Sequence, residues 1–287
     1  MRSEAEMFNL ILNFARREEG IRLVFINGSR ANPKVKPDSF RDFDIVFLVR
    51  DMADFLGNDD WLEVFGKRLI MQKPETMQLF PPEGGKAFPY LMLFEDGNRI
   101  DLQIRPLEEL DNYLASDSLC VLLLDKDGLV KTMPESSERD YLLAQPTKKH
   151  FEDSCNEFWW LSSYVAKALL RRQLPYANAH LNLMRDELMR QLSWQAGFRG
   201  GFNFNNGKDY KYLEEHISTE DWQSLLISWR NDSFENSWSA LFEICHLFEK
   251  VSAQNAKSDG YALPDYAQKL LPYLESLKQD ADSSEAL

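Results

Sequence analysis

Two stretches decide how the first half of the chain folds: IRLVFINGSR at 21–30 and DFDIVFLV at 42–49. Each holds a short apolar run rich in strand formers. The first run stops at Asn27-Gly28-Ser29, a turn signal. The second opens on Asp42 and Asp44. Residues two apart on a strand point to the same face, so these two carboxylates stand side by side at the strand's start. Adjacent carboxylates repel unless a cation lies between them, and Mg²⁺ takes oxygen ligands that it shares with substrate phosphates. Gly28 lets backbone approach a phosphate closely, and Ser29 adds a hydroxyl and an N–H.

Working outward, Ser3 and Glu6 form a capping box, and Met7, Leu10, Ile11 and Phe14 follow at helical spacing. ANPKVKPDSF (31–40) is a polar loop. NDDWLEVFGKRLI (58–70) reads as a helix, and FPPEGGKAF (80–88) as a loop. YLMLFE and RIDLQI flank Asp96-Gly97-Asn98, a strong hairpin signal. That hairpin puts Asp101 on a strand of its own, with Ile100, Leu102 and Ile104 on one face and Asp101 and Gln103 on the other. A third carboxylate beside the first two makes a site for two metals, or for a metal and a base. PLEELDNYL is a short helix entered by proline, and VLLLD before Asp127-Gly128 is another strand.

The polar stretch KTMPESSERDYLLAQPTKK (131–149) reads as a linker or domain crossing. Beyond it, helical patterns cover about 151–174, 176–198, 219–230, 235–254 and 264–278, and the tail DADSSEAL reads as frayed. The fold class expected is α+β, with a catalytic domain at 1–145 and a helical domain at 146–287. A chain of 287 residues suits two domains of ordinary size.

A net charge of −13 argues against a nucleic-acid partner, which needs a basic stripe. Cys120, Cys155 and Cys245 are odd in number and far apart, which points to a reducing compartment. The N-terminus lacks the pattern of a signal peptide, and no stretch approaches the roughly 20 apolar residues of a membrane span. The expected address is the cytoplasm. The oligomeric state is not legible. The four histidines form no close pair and read as ordinary residues, and Ser29 has no partner motif for covalent catalysis.

The order Gly-Ser-Arg, Asp-x-Asp, then a lone strand Asp resembles the signature of the DNA polymerase β-like nucleotidyltransferase superfamily. Longer segments look like the aminoglycoside 6-adenylyltransferases, the streptomycin-modifying enzymes: IRLVFINGSRAN, NDDWLEVFGKRLIMQKPETMQLFPPE, YLMLFEDGNRIDLQIRPLEELDNYL and CNEFWW. The likeness runs from Met1 to about residue 255. It implies a polymerase β-like mixed-sheet domain followed by a helical domain, with the active site in the cleft between them. It also implies transfer of AMP from ATP to the 6-hydroxyl of streptomycin's streptidine ring, with release of pyrophosphate.

By the same resemblance, Asp42 and Asp44 are metal ligands, with two Mg²⁺ ions expected, and Asp101 is a metal ligand, the general base, or both. Gly28 and Ser29 match the loop that holds the nucleotide phosphates. Arg30 either adds charge to those phosphates or makes a surface ion pair. Lys208 and Arg190 resemble nucleotide-contacting residues of the related streptomycin/spectinomycin adenylyltransferases, and Lys167 is a weaker candidate. The drug is polycationic, so Glu157, Trp159 and Trp160 in CNEFWW are candidates for its pocket. Glu83, Glu95 and Asp153 are further acids without a basis for choice among them. Other readings are the same superfamily acting on another acceptor (a protein AMP-transferase or a lincosamide adenylyltransferase) and a non-catalytic nucleotide- or drug-binding protein.

Overall fold

A computed structural model describes residues 1–82 and 84–285. The chain divides into two compact units, Met1–Asp140 and Tyr141–Leu287. Against the expected boundary after residue 145, the division falls after residue 140.

The first unit opens with α1 (Glu4–Arg17), whose capping box is present: the Ser3 side chain accepts from the Glu6 amide, and Glu6 reaches back to the Ser3 amide. Then come β1 (Ile21–Asn27), the one-turn α2 (Gly28–Ala31), β2 (Phe43–Val49), β3 (Arg68–Gln72), β4 (Phe88–Phe94), β5 (Arg99–Pro106), α3 (Leu110–Ser116) and β6 (Cys120–Asp125). The strands form one sheet in the order β3-β4-β5-β2-β1-β6. Among the described residues, only β2 and β5 run parallel; the other pairs are antiparallel. The sheet is therefore mixed, as expected.

Alternation along the strands builds two cores. Val24, Ile26, Ile45, Phe47, Ile100, Leu102 and Ile104 turn to the face covered by Met7, Ile11 and Phe14 of α1. Leu23, Phe25, Val46 and Leu48 turn to the other face, against Tyr113 of α3. Phe14 stacks on Trp61 and meets Phe65 edge-on.

One expectation fails here. Residues 58–70 are not a single helix: a 3₁₀ stretch covers Asp60–Phe65, and β3 begins at Arg68. Trp61, Leu62 and Phe65 do have helical spacing and do face the core, which misled the reading. Gly66 at φ +117° ends the turn, and the chain leaves as an edge strand.

The second unit is helical: α4 (Lys148–Leu170), α5 (Leu174–Gly200), α6 (Thr219–Ile227), α7 (Phe234–Asp259) and α8 (Tyr266–Glu285). Most of the stretch read as frayed is thus helical, since α8 runs to Glu285. Phe158 and Phe248 lie face to face at 3.7 Å between ring centres, at the heart of a core shared by α4, α5 and α7. Among the described residues, no helix is long and apolar enough to cross a membrane.

Phe158 is fully buried. Phe158→Ala should lower stability by about 3–5 kcal/mol, the usual range for emptying an aromatic core site. Urea unfolding followed by helical circular dichroism measures this, and an unchanged midpoint would contradict the packing.

Candidate active site

The parallel pairing of β2 with β5 is in register, with Asp44 opposite Asp101. Neighbouring strands lie about 4.8 Å apart, so a single ladder position brings these two acids together. Asp42 sits just before β2, two residues upstream of Asp44, and adds the third. Gly28 closes the site from β1. A Cβ built there would lie 2.3 Å from Asp44 Oδ2. Its φ of +65° is also one that side chains avoid. The sequence suggested that Gly28 makes room for a phosphate; in the structure the missing Cβ makes room for the Asp44 carboxylate. Asn27, one residue earlier, is held by the Tyr113 hydroxyl and donates to Asp117 at 3.3 Å, which fixes the start of the turn.

Crowding shows in the acidities. Burial, then the charges of Asp101 and Asp42, push the Asp44 carboxyl up to about 6, against the opposing pull of Arg99 and Arg30. Burial also raises Asp42; Arg99 opposes this and Asp101 adds to it. The cation inside the cluster is Arg99. Its Nε and Nη2 each donate to one oxygen of Asp101 at 2.7 Å. Its Nε also lies 3.7 Å from Asp42 Oδ2. Sequence reading missed Arg99. Two residues before Asp101 on the same strand, it had to share that face, and this was the available signal.

The donor chemistry suits a hard divalent cation. Asp42 and Asp44 offer carboxylate oxygens, and the space beside Gly28 seats one of them. Asp101 differs, since Arg99 takes both its oxygens. Among the described residues, no group of three or more His, Cys, Asp or Glu side chains is arranged to hold a metal ion. The pair fits an ion as it stands. The triad fits only if Arg99 lets go.

Arg30 takes the ion-pair alternative. It donates to the carbonyls of Asp42 at 2.9 Å and Arg41 at 2.7 Å, and to Glu4 at 2.7 Å. Its guanidinium covers the Phe43 ring at 3.7 Å. It fixes the backbone that carries Asp42. Ser29 is half-buried at the site, and its carbonyl accepts from Arg41 at 3.3 Å.

In the second unit a cavity of about 320 Å³ is lined by His150, Asp153, Ser154, Glu157, Glu187, Arg190 and Trp194. It brings together Glu157 and Arg190, which sequence reading had assigned to different ligands. Arg190 pairs with Glu187 at 3.0 Å. Burial raises the Tyr210 hydroxyl, and the charge of Arg190 opposes this, so the segment after Lys208 lies beside Arg190. Lys208 itself is exposed; its carbonyl accepts from the Lys211 amide at 3.3 Å, and its ammonium has no hydrogen-bond or ion-pair partner among the described residues. Trp159 belongs to the helical core against Phe248 and is not among the residues that line this cavity. Trp160 is 60% exposed and donates to the Tyr164 hydroxyl at 3.1 Å. Lys167 is an exposed residue of α4. Glu95 pairs with Lys67, away from the carboxylate cluster. Glu83 lies outside the described residues. His150, Glu187 and Trp194 were missed, because only the pairing of α4 with α5 brings them to one cavity.

A mixed sheet with a Gly-Ser turn facing clustered strand carboxylates defines a nucleotidyltransferase. Sequence comparison narrows this. The streptomycin adenylyltransferase family matches residues 1–277. The chain is 42% identical over 279 residues to the aminoglycoside 6-adenylyltransferase of Bacillus subtilis (strain 168), covering 96% of this chain and 98% of that protein. It is 43% identical over 275 residues to the aminoglycoside 6-adenylyltransferase of Campylobacter jejuni, covering 96% and 95%. A crystal structure of an aminoglycoside 6-adenyltransferase from Bacillus subtilis shares 38% identity, covers 97% of this chain and 99% of its own, and has a TM-score of 0.48. The chain belongs to the streptomycin adenylyltransferase family.

Two outcomes follow from the crowding. Asp44 has a folded pKa of about 6 against an ordinary 3.8. In that window the folded state binds more protons than the unfolded one, so stability falls as pH rises. Asp44→Asn removes this penalty. Its advantage over the parent should be absent below pH 3.8, appear between 3.8 and about 6, and be complete above that. Urea midpoints across pH test it, and a pH-independent difference would count against the electrostatic account. Separately, Gly28→Ala should cost about 1–3 kcal/mol of strain and displace Asp44; thermal unfolding and a crystal structure of the variant would reveal both.

Proposed function

We propose that the protein transfers AMP from ATP to the 6-hydroxyl of the streptidine ring of streptomycin, releasing pyrophosphate. The observation that carries this reading is the register that sets Asp44 against Asp101, with Asp42 and Gly28 beside them. Its support beyond the site is the near-full-length similarity to proteins named aminoglycoside 6-adenylyltransferase.

Asp42 and Asp44 would hold Mg²⁺ through their carboxylate oxygens. When bound, such an ion would supply charge stabilisation to the phosphate oxygens and the departing pyrophosphate. Gly28 and Ser29 present backbone N–H groups and a hydroxyl to the phosphates. Asp101 binds the acceptor hydroxyl or takes its proton at the carboxylate. The hydroxyl oxygen attacks the α-phosphorus, and the bond to the pyrophosphate oxygen breaks in line. No covalent enzyme intermediate forms. For the second unit, we assign Lys208 and Arg190 to the nucleotide phosphates.

The acceptor in this reading carries guanidinium groups. Glu157, in the cavity beside the Glu187–Arg190 pair, supports a subsite for one such group, since carboxylates take guanidinium through paired hydrogen bonds. A volume near the lower limit for ligand pockets suits one substituent rather than a whole trisaccharide. Trp160, exposed and three residues beyond Glu157, remains a candidate contact. Trp159, in the core, supports its helix. A cytoplasmic address fits the three free and buried cysteines.

Mass spectrometry of streptomycin incubated with the protein, ATP and Mg²⁺ should show a gain of one AMP. Asp42→Asn and Asp44→Asn should each lower kcat/KM by more than about 100-fold without unfolding the protein. No mass gain with streptomycin would remove the acceptor assignment, and full activity in both variants would remove the ligand assignment.

A further inference from the structure

Arg99 differs from every other arginine near the site in what holds it. Arg30 is fixed by two backbone carbonyls and covers an aromatic ring. The contacts of Arg99, among the described residues, are carboxylates of the cluster: the fork on Asp101 and the approach to Asp42. Its side chain is 43% exposed, so it can swing outward without breaking packing. The groups that hold it are the same ones an incoming divalent cation would take. A planar fork engages both oxygens of Asp101, so a second cation there must compete with the guanidinium's charge and hydrogen bonds.

We propose that Arg99 is an internal counter-cation: it keeps Asp101 out of the metal site until the metal–nucleotide displaces it. The exchange is one of charge for charge. The guanidinium leaves both oxygens of Asp101, the divalent ion or the acceptor hydroxyl takes them, and the anionic triphosphate arriving with the ion offers the guanidinium a new partner. The cluster's charge is then partly offset before loading, and its third carboxylate becomes available only when nucleotide is present. Arg99 is a positioning residue, acting through Asp101. The proposal rests on the reading of Asp42 and Asp44 as cation ligands.

Binding of Mn²⁺ to the full-length protein without nucleotide, read by the electron paramagnetic resonance signal of the free ion, tests it without any turnover. R99Q should bind Mn²⁺ at least about fivefold more tightly than the parent, the scale of releasing one partly exposed ion pair. The gain should vanish in R99Q/D101N, because it comes from freeing Asp101. R99K, which keeps the charge but not the fork, should fall between. Unchanged or weaker Mn²⁺ binding in R99Q, with binding abolished in D44N, would overturn the role of Arg99 and leave the ligand reading intact. Mn²⁺ binding that D42N and D44N leave untouched would overturn both.

Discussion

The pairing of β2 with β5 is the constraint on which the site depends. β3 and β4 intervene in the chain between these two strands, which pair in parallel, and Asp44 falls opposite Asp101. A slip of one residue would turn Asp101 to the core side and Ile100 to the rim. Ile45, Phe47, Ile100, Leu102 and Ile104, all buried on the α1 face, resist that slip. Apolar burial thus fixes the distance between two charges. The electrostatic cost of holding those charges together falls on a sheet whose cores are large enough to bear it.

That cost is distributed among neighbours already described. Gly28 yields the space for Asp44, Arg30 anchors the backbone of Asp42, and Arg99 supplies the local positive charge. Each acts on a different acid, and each does so by a different means: absent volume, hydrogen bonds to carbonyls, and a paired fork on a carboxylate. A cluster held this way has a definite geometry before any ligand arrives, and preorganisation of this kind is where much of an enzyme's electrostatic effect originates.

Much of this was legible in the sequence, for identifiable reasons. The capping box at Ser3 and Glu6, the Asp96-Gly97 hairpin and the alternation around Asp101 are local signals, and local signals survive folding. Residues 60–65 imitate a helix because about two turns of 3₁₀ use the same apolar spacing, and only Gly66 and Lys67 separate them from β3. Trp159 and Trp160 could not be told apart from neighbouring positions alone; burial by Phe248 on α7, roughly ninety residues on, decides it. The cavity residues His150, Glu187 and Trp194 depend on how α4 meets α5, a pairing that no single helix encodes.

The cations expected to meet phosphate illustrate what a structure adds. A positive charge is available to a ligand in proportion to how easily its present partners release it. Arg30 has three strong acceptors, two of them backbone, and is committed. Arg190 shares one carboxylate, Glu187, on its own helix and at a half-exposed position, where such pairs contribute little. Lys208 stands in a segment whose next two residues, Asp209 and Tyr210, hold left-handed backbone at φ +54° and +61°. Conformations of that kind persist only when their surroundings over-determine them. Here the Tyr212 amide donates to the Asn206 carbonyl at 2.9 Å, and the Asn206 side chain donates to Ser193 at 2.7 Å. The loop is therefore fixed, while the Lys208 ammonium has no hydrogen-bond or ion-pair partner among the described residues and is exposed; a charge presented in this way is consistent with the phosphate contact proposed for it above.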